Sequence, residues 1–390
     1  MKQTTPTIVL TGGGSGGHIT PLLSLARELK RQAPGCTLVY IGHKGDRFDN
    51  LGLSKRDFDF MAFIKAGKFR RYHGMGFTGG VLQPKTLALN IRDFFRLPGS
   101  LINSMKLMRK FRPNVVFSKG GFVAVPVCLA AKLLKIPIVT HDSDTVPGLA
   151  NRMVGRWATL HTTGMPTHHY PYPPDRTRYV GIPIDDRIKK VTPKVMNQAK
   201  AQLKLPKDSL VLLLSGGGNG SVRLNKLMLA VATDLLSSHL SLYLLHLCGP
   251  DHVAEVNEGY RALPRAERQR VRVLGFSPEF YKLSASADLV VSRAGATTLA
   301  DLAVAGKACV VIPAPFLAGG HQLKNADELA KHDAAVVLDN EVQPDEFQAV
   351  INELLADDRR RFELARNLYS IAKPGASAEL AKVIIYIAGY

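Results

Sequence analysis

Long hydrophobic runs are missing from this sequence of 390 residues. No stretch of about 18 apolar residues is available to span a membrane, and no basic-then-apolar leader follows Met1. Cysteine is also scarce, because only Cys36, Cys128, Cys248 and Cys309 occur, without the spacing of a metal site or a disulfide framework. These absences predict a protein that neither crosses a membrane nor is exported, and that works in a reducing compartment.

Acidic residues are scarce in the first half only. Residues 1–182 contain 26 Lys and Arg against 9 Asp and Glu, a net charge of +17, whereas the remainder contains 25 against 23, a net charge of +2. This asymmetry indicates an anionic partner for the first half, either nucleic acid or an acidic membrane surface. A non-catalytic nucleic-acid-binding protein is disfavoured, because aromatic residues do not cluster beside Arg and Lys on strand-like segments.

The segment 287–306 carries the clearest site pattern. A short buried strand, 287–292, runs through the small-residue turn 293–296 into an apolar-periodic helix, 297–305, which Gly306 closes as a left-handed cap. Such a turn leaves free backbone N–H groups at the positive end of a helix dipole. This pattern suits an anion such as a diphosphate.

The residues around and after this turn suit the rest of a nucleotide sugar. Asp301 lies one helical turn inside the helix, and a carboxylate there can accept hydrogen bonds from both hydroxyls of a ribose. A second buried strand, 308–312, leads to His321, Gln322 and Asn325, whose donors and acceptors suit a sugar. We therefore predict a nucleotide-sugar site.

A glycine-rich turn also follows the first predicted strand, 7–10. Residues 12–18 contain G-x-G-x-x-G and precede a helical pattern over 21–30. A dinucleotide site would also need an acidic residue after the second strand, 37–41, which runs instead into glycine and basic residues. NAD is therefore disfavoured, and a P-loop is excluded because no Gly-Lys pair precedes Ser or Thr.

Several segments together resemble one family. Gly-Ala-Thr-Thr-Leu-Ala-Asp at 295–301, a strand ending in proline, and then His-Gln and Asn resemble the MurG-type family, the UDP-N-acetylglucosamine-dependent transferases that make lipid II in bacterial cell-wall synthesis. Gly-Gly-x-Gly-Gly-His at 13–18 matches the same family. The resemblance covers essentially the whole chain and is strongest at 7–26, 116–152, 211–225 and 287–326.

Alternating strands and helices in two successive sets predict an α/β protein with two doubly wound parallel-sheet, Rossmann-like domains facing a cleft. The resemblance implies the GT-B fold. It places an acceptor-binding and membrane-associating domain at 1–182 and a UDP-sugar donor domain at 183–373. It also implies a last helix, about 374–390, that packs back on the first domain.

The resemblance assigns site residues by position. The donor-binding positions are Ser15, Gly16, Gly17, Asp144, Gly218, Asn219, Phe276, Ser277, Gly295, Ala296, Thr297, Thr298, Asp301, His321 and Gln322. The acceptor-binding positions are Gly13, Gly14, Gly120, Gly121 and Phe122. This chain departs from the family at four places: the family has Glu at Asp142, Asn at Asp144, Arg at Asp185 and Ser at Gly218.

His18 is the predicted catalytic base, with Asp142 as the alternative. A helix dipole disfavours the protonated form of an imidazole near its N-terminus, which leaves a neutral base available. Asp142 and Asp144 also form an Asp-x-Asp pattern, which can hold Mg²⁺ or Mn²⁺ beside a diphosphate. We predict that no metal or other cofactor is needed, because a helix terminus already faces the donor diphosphate.

The segment 82–112 mixes apolar residues with Arg92, Arg96, Lys106 and Arg109. On helices such a mixture suits an anionic membrane interface, although ordinary amphipathic core helices show it as well. Together with the family resemblance, it leads us to expect a peripheral protein at the cytoplasmic face of the plasma membrane. The oligomeric state is left open.

The function that this resemblance implies is transfer of N-acetylglucosamine from UDP-GlcNAc to undecaprenyl-diphosphate-linked muramoyl-peptide (lipid I), with inversion at the anomeric carbon. The partners are then UDP-GlcNAc, the lipid-linked acceptor and an anionic membrane. An alternative is another UDP-sugar enzyme of the same fold, either a diacylglycerol glycosyltransferase or a UDP-GlcNAc epimerase.

Overall fold

The computed structural model describes residues 5–13, 16–44, 57–67 and 84–390, with side chains at all of these positions except 16–19, 84–86, 94 and 318. The chain divides into two compact units. The first comprises Met1–Asp185, Phe316–His321 and Lys373–Tyr390, and the second comprises Asp186–Pro315 and Gln322–Ala372. The domain limits predicted from the sequence were 182–183 and 373–374.

Both units are built on a parallel sheet. The strands are β1 (Thr7–Thr11), β2 (Thr37–His43), β3 (Phe60–Ile64), β4 (Val115–Ser118), β5 (Ile138–Asp142), β6 (Leu160–Thr163), β7 (Thr177–Tyr179), β8 (Leu210–Ser215), β9 (Leu242–Leu247), β10 (Val271–Leu274), β11 (Leu289–Ser292), β12 (Cys309–Val311) and β13 (Val336–Val337). The strand order is β3-β2-β1-β4-β5-β6-β7 in the first unit and β10-β9-β8-β11-β12-β13 in the second.

Helices connect these strands. They are α1 (Gly16–Gln32), α2 (Pro84–Phe94), α3 (Leu97–Phe111), α4 (Ala124–Leu133), α5 (Leu149–Val154), α6 (Pro193–Gln202), α7 (Val222–Ser238), α8 (Val253–Gly259), α9 (Arg265–Arg268), α10 (Phe280–Ser286), α11 (Ala296–Ala305), α12 (His321–Lys331), α13 (Pro344–Ala356), α14 (Asp358–Ser370) and α15 (Ala376–Ile387). None of the helices within the described residues is both long and apolar enough to cross a membrane.

The order of the strands creates one switch point in each sheet. In the first unit the chain moves outward from β1 to β3 and then returns to place β4 on the other side of β1. In the second unit β8 and β11 are neighbours in the same way. Loops that leave the carboxyl ends of such a strand pair diverge to opposite faces of the sheet, and the crevice between them is where doubly wound proteins bind ligands.

Apolar strands covered on both faces explain the two cores. Ile8, Val9 and Leu10 are completely buried, as expected for a parallel strand between two helical layers. On one face of the first sheet α1 packs with the C-terminal helix α15, whose Leu380 and Ile384 are also completely buried. In the second unit α7 and α13 cover one face, and α11, α12 and α14 cover the other.

The prediction of two doubly wound parallel sheets is therefore confirmed. One helix boundary was wrong: α1 begins at Gly16, not at Pro21. Proline is common in the first turn of a helix, so Pro21 suggested that the helix starts there. Gly16 and Gly17 adopt helical and loop dihedrals equally easily, so they do not indicate where a helix begins. As a result, His18 belongs to the first turn of α1 rather than to the preceding loop.

Candidate functional site

The glycine turn after β8 shows which glycines are structural and which are open. A Cβ at Gly216 would lie 2.3 Å from the Ser221 nitrogen, and one at Gly220 would lie 1.9 Å from the Cys248 carbonyl oxygen. In contrast, a Cβ at Gly217 or Gly218 would meet no other atom of the described chain within 4 Å. The turn is thus fixed at its two ends, and its middle presents bare backbone at the switch point between β8 and β11.

The neighbouring turn after β11 leads into α11. Gly295 has extended dihedrals at the N-cap position. The helix α11 runs from Ala296 to Ala305, and Gly306 caps it in the left-handed conformation, as predicted. A Cβ at Gly295 would also meet nothing within 4 Å in the described part of the chain. The N–H groups of Ala296 and Thr297, at the start of the helix, are among those that α11 leaves without an intrahelical partner. The open backbone of both turns, together with the start of α11, can therefore donate hydrogen bonds to an anion such as a diphosphate.

A buried arginine joins the loops around this switch point. Arg293 directly follows β11 and is only 7% exposed. Its Nε donates to Ser221 Oγ at 3.1 Å, and its Nη1 donates to the Ile312 carbonyl at 2.9 Å and to Asn340 Oδ1 at 2.8 Å. Burial, followed by the nearby Arg223, lowers the pKa of Arg293 to about 10. The guanidinium thereby fixes the positions of the loops that follow β8, β12 and β13 relative to one another. This role was not predicted from the sequence.

Other predicted donor residues lie on the helices α11 and α12. Asp301, on α11, is half-buried. Gln322 is buried, with its Oε1 accepting from the Ala314 nitrogen at 2.9 Å, and Asn325 Nδ2 donates to the Ala294 carbonyl at 3.0 Å. These two amides hold the loops after β11 and β12, which the sequence pattern did not indicate.

The remaining donor positions are spread more widely. Asn219, Thr297 and Thr298 lie in the turns already described or just beyond them. Phe276 and Ser277 follow β10 and are half-buried, and Ser277 Oγ accepts from the Glu279 nitrogen at 3.2 Å. His321 begins α12 but groups with the first unit.

The first unit repeats the arrangement at the junction of β1 and β4. Gly120 and Gly121, in the turn after β4, have φ angles of +93° and +82°. A Cβ at Gly121 would lie 2.4 Å from the Gly13 carbonyl oxygen, so the turns after β1 and β4 touch. Beside them Phe122 makes an edge contact with His43, with ring centroids 4.9 Å apart. The predicted positions Gly14 and Ser15, and the side chain of His18, lie outside the described residues.

Asp142 ends β5, and its carboxylate is saturated with hydrogen bonds. Oδ1 accepts from the Gly148 nitrogen at 3.0 Å and from Asn151 Nδ2 at 3.1 Å, while Oδ2 accepts from the Tyr172 hydroxyl at 2.7 Å. Burial raises the pKa of Asp142 above its ordinary value, although these hydrogen bonds oppose the shift. The geometry gives Asp142 a clear positioning role, and its role as a base stays a prediction.

The Asp142 network extends to the glycine turn. Asn151 Oδ1 accepts from Ser118 Oγ at 2.9 Å, and Ser118 Oγ in turn accepts from the Gly120 nitrogen at 3.2 Å. At the other end, Tyr172 stacks on His161, with ring centroids 3.9 Å apart. Tyr172 and Asn151 were missed from the sequence, because only the fold brings them to β5.

The predicted Asp-x-Asp pair is not part of a larger set of metal-binding side chains within the described residues. The residues that the structure describes contain no group of three or more His, Cys, Asp or Glu side chains able to hold a metal ion. Asp144 is half-buried, and its backbone carbonyl accepts from the Tyr170 hydroxyl at 2.8 Å. Whether these two carboxylates take a metal stays a prediction.

Comparison with known proteins identifies the two halves of the chain. Residues 8–162 match the N-terminal domain of glycosyltransferase family 28, and residues 211–380 match the C-terminal domain of that family. The chain is 32% identical, over 98% of its own length and 98% of the relative, to the UDP-N-acetylglucosamine–N-acetylmuramyl-(pentapeptide) pyrophosphoryl-undecaprenol N-acetylglucosamine transferase of Desulforudis audaxviator. A relative of the same name from Halothermothrix orenii is 31% identical, over 97% and 98%.

Solved structures share the fold. Acinetobacter baumannii MurG aligns over 98% of this chain and 99% of its own, with a TM-score of 0.72 and 23% identity. The UDP-GlcNAc 2-epimerase of Neisseria meningitidis, bound to UDP-GlcNAc, aligns over 97% and 100%, with a TM-score of 0.66 and 12% identity. At these identities the two structures establish the fold of the chain and nothing more about its chemistry.

Proposed function

Because this chain belongs to glycosyltransferase family 28 and, within it, to the MurG-type N-acetylglucosamine transferases, we propose that it transfers N-acetylglucosamine from UDP-GlcNAc to lipid I. The acceptor is undecaprenyl-diphosphate-linked N-acetylmuramoyl-pentapeptide, and the product is lipid II for peptidoglycan synthesis. The sugar is transferred with inversion at its anomeric carbon.

The observation that carries this proposal is the open backbone at the switch point of the second unit. Gly217, Gly218 and Gly295 offer bare backbone there, and α11 begins at the next residue. N–H groups at a helix start bind anionic oxygen, and they stabilise a departing diphosphate as charge develops on it. In this proposal Asp301, one turn inside α11, accepts hydrogen bonds from the two ribose hydroxyls of the same nucleotide.

The catalytic step requires deprotonation of the acceptor hydroxyl, and we assign it to His18 at the start of α1. The acceptor hydroxyl oxygen attacks the anomeric carbon while the bond from that carbon to UDP breaks. The proton of the hydroxyl passes to the imidazole, and UDP leaves as the anion. Asp142 is the alternative base. Its three hydrogen bonds favour a positioning role, because a carboxylate with both oxygens engaged is poorly placed to take a proton.

The membrane partner is proposed from the surface of α2 and α3. Leu87, Ile91 and Phe95 follow one another at intervals of four residues and are exposed, Phe95 to 75%. On α3, Ser100 and Ser104 are buried, whereas the apolar side chain of Ile102 is 55% exposed. Exposed apolar side chains among cations suit shallow insertion into an anionic surface, as expected of a peripheral protein at the cytoplasmic face.

An acceptor-choice assay tests the function. Purified protein would receive radiolabelled UDP-GlcNAc with lipid I, with diacylglycerol, or with no acceptor. We expect label in lipid II only. Label in a diacylglycerol product, or conversion of the nucleotide sugar without acceptor, would replace the proposed reaction with that of another UDP-sugar enzyme of the same fold.

A further inference from the structure

Lys119 is a buried cation at the switch point of the first unit. It directly follows β4 and is only 4% exposed. Its backbone N–H donates to the Thr11 carbonyl at 2.9 Å, which fixes it beside the end of β1. The next two residues, Gly120 and Gly121, form the left-handed turn that touches Gly13.

The described residues provide no hydrogen-bond acceptor for the ammonium group of Lys119 and no ion pair within 4.0 Å of it. Burial lowers the pKa of Lys119, and the charges of Asp144 and, more weakly, Asp142 oppose this shift. Asp142 is already satisfied by three other donors, so it does not need the lysine. Buried ammonium groups are normally paired and hydrogen-bonded. Within the described residues, in contrast, the three N–H donors of Lys119 have no acceptor and are available to a ligand.

The chemistry of the surroundings selects the ligand. An ammonium group only donates, so it recognises anionic oxygen best. The backbone of Gly120 and Gly121 and the start of α1 at Gly16 add further N–H groups on the same edge of the sheet. Asp144, which stands where the family has Asn, supplies a carboxylate that offsets the buried charge of Lys119 when no anion is bound.

We propose that Lys119 is a ligand-binding residue of the acceptor site, donating hydrogen bonds to the diphosphate of the lipid-linked acceptor. This inference rests on the proposed function, because it takes the acceptor to carry a prenyl diphosphate. It makes Lys119 a determinant of acceptor affinity that leaves the UDP site in the other unit unaffected.

Direct binding of geranyl diphosphate by calorimetry tests the inference without relying on turnover. We expect Lys119→Met to raise the dissociation constant for geranyl diphosphate at least about tenfold, as for a lost charge-assisted hydrogen bond, and to leave that for UDP unchanged. Lys132→Met removes an exposed lysine on α4 and is the matched control, with both constants expected to match those of the parent.

The double variant Lys119→Met/Asp144→Asn separates ligand binding from simple charge balance. If Lys119 binds the diphosphate, the double variant binds geranyl diphosphate as weakly as Lys119→Met. Recovery of parental affinity in the double variant would show that Lys119 only balances Asp144, and the inference would fail. If Lys119→Met unfolds, Lys119→Gln and Lys119→Arg replace it, and equal affinity of both for geranyl diphosphate would overturn the inference.

The acceptor assay keeps the two proposals separate. Failure of the parent to make lipid II contradicts the proposed function whatever Lys119 does. If the parent makes lipid II and the Lys119→Met variant binds geranyl diphosphate as tightly as the parent does, only the proposed role of Lys119 is contradicted.

Discussion

Asp301 is the side chain on which donor affinity should depend most. Asp301→Ala removes an acceptor for two ribose hydroxyls, and each hydrogen bond to a charged group contributes about 1.5–3 kcal/mol. We expect the dissociation constant for UDP to rise at least about tenfold in calorimetry. Asp327→Ala, an exposed carboxylate on α12, is the control and should bind UDP normally. Unchanged UDP affinity in Asp301→Ala would remove this residue from the site.

His18 should control turnover rather than donor binding. Loss of a general base typically lowers the rate by about 10²–10⁴-fold, so His18→Ala should reduce kcat by that factor and leave the UDP dissociation constant unchanged. Asp142→Asn provides the comparison: as a positioning residue it should lower thermal stability along with activity. The assignment of the base would be reversed if Asp142→Asn lost turnover at full stability and His18→Ala kept it.

Metal dependence follows from the same residues. If the start of α11 neutralises the diphosphate, EDTA should leave lipid II formation nearly unchanged, because no metal carries the leaving-group charge. Turnover would be measured after chelation and again after adding Mn²⁺ or Mg²⁺. Abolition by EDTA with rescue by either ion would make Asp142 and Asp144 metal ligands instead of a positioning residue and a charge partner.

Single residues were predictable only where the neighbouring sequence determines them. Gly306 could be predicted as a left-handed cap because a helical pattern stops there. Arg293 and Tyr172 could not be assigned roles, since Arg293 bonds to Ile312 and Asn340, and Tyr172 bonds to Asp142, 30 positions away. Contacts of this kind depend on strand order, which one sequence does not specify residue by residue.

Among the elements, the turn between β8 and α7 permits a matched test of stability. Gly220 has a φ of +75°, and a Cβ there would overlap the Cys248 carbonyl, so Gly220→Ala should cost at least about 2 kcal/mol of unfolding free energy. Gly218→Ala adds a methyl group in open space and should stay within about 0.5 kcal/mol of the parent. Denaturant unfolding would compare the two, and equal destabilisation would mean that the middle of the turn is not open.

The elements themselves were predictable where burial makes the sequence uniformly apolar. The strands predicted at 7–10 and 308–312 match β1 (Thr7–Thr11) and β12 (Cys309–Val311) to within one residue at each end. The strands that were not predicted are short or partly polar: β3 and β7 lie at the edges of the first sheet, β6 contains His and two Thr, and β13 has two residues. Such segments become strands only through pairing with a neighbour, which periodicity cannot show.

At the scale of the whole molecule, the charge asymmetry of the sequence matches our proposal that the first unit binds the lipid-linked acceptor and the second binds UDP-GlcNAc. A lipid-linked acceptor is reached from an anionic membrane, whereas UDP-GlcNAc arrives from solution. The net charge of +17 on residues 1–182 against +2 on the rest favours a membrane role for the first unit only. The fold could be predicted at this scale because repeated strand–helix patterns with glycine turns identify doubly wound sheets.

Membrane binding should therefore be reversible, salt-sensitive and confined to one face. Arg92 and Arg96 both pair with the buried Asp93, so replacing them would also disturb the fold. Lys106, Arg109 and Lys110 are exposed on α3 and make the sharper test. Each cation near an anionic surface contributes about 1 kcal/mol, so changing all three to Gln should weaken binding to anionic vesicles on the order of a hundredfold while UDP affinity stays unchanged.

Vesicle sedimentation measures this effect directly. Anionic vesicles should retain the parent, neutral phosphatidylcholine should retain little, and high salt should release most of it, because screening shortens the reach of surface charge. The matched control changes three exposed arginines of the second unit, Arg261, Arg359 and Arg366, to Gln and should sediment like the parent. If the α3 triple variant also sediments like the parent, the cations of α3 are merely solvated. A loss shared equally by both variants would mean that overall charge, not this face, draws the protein to the membrane.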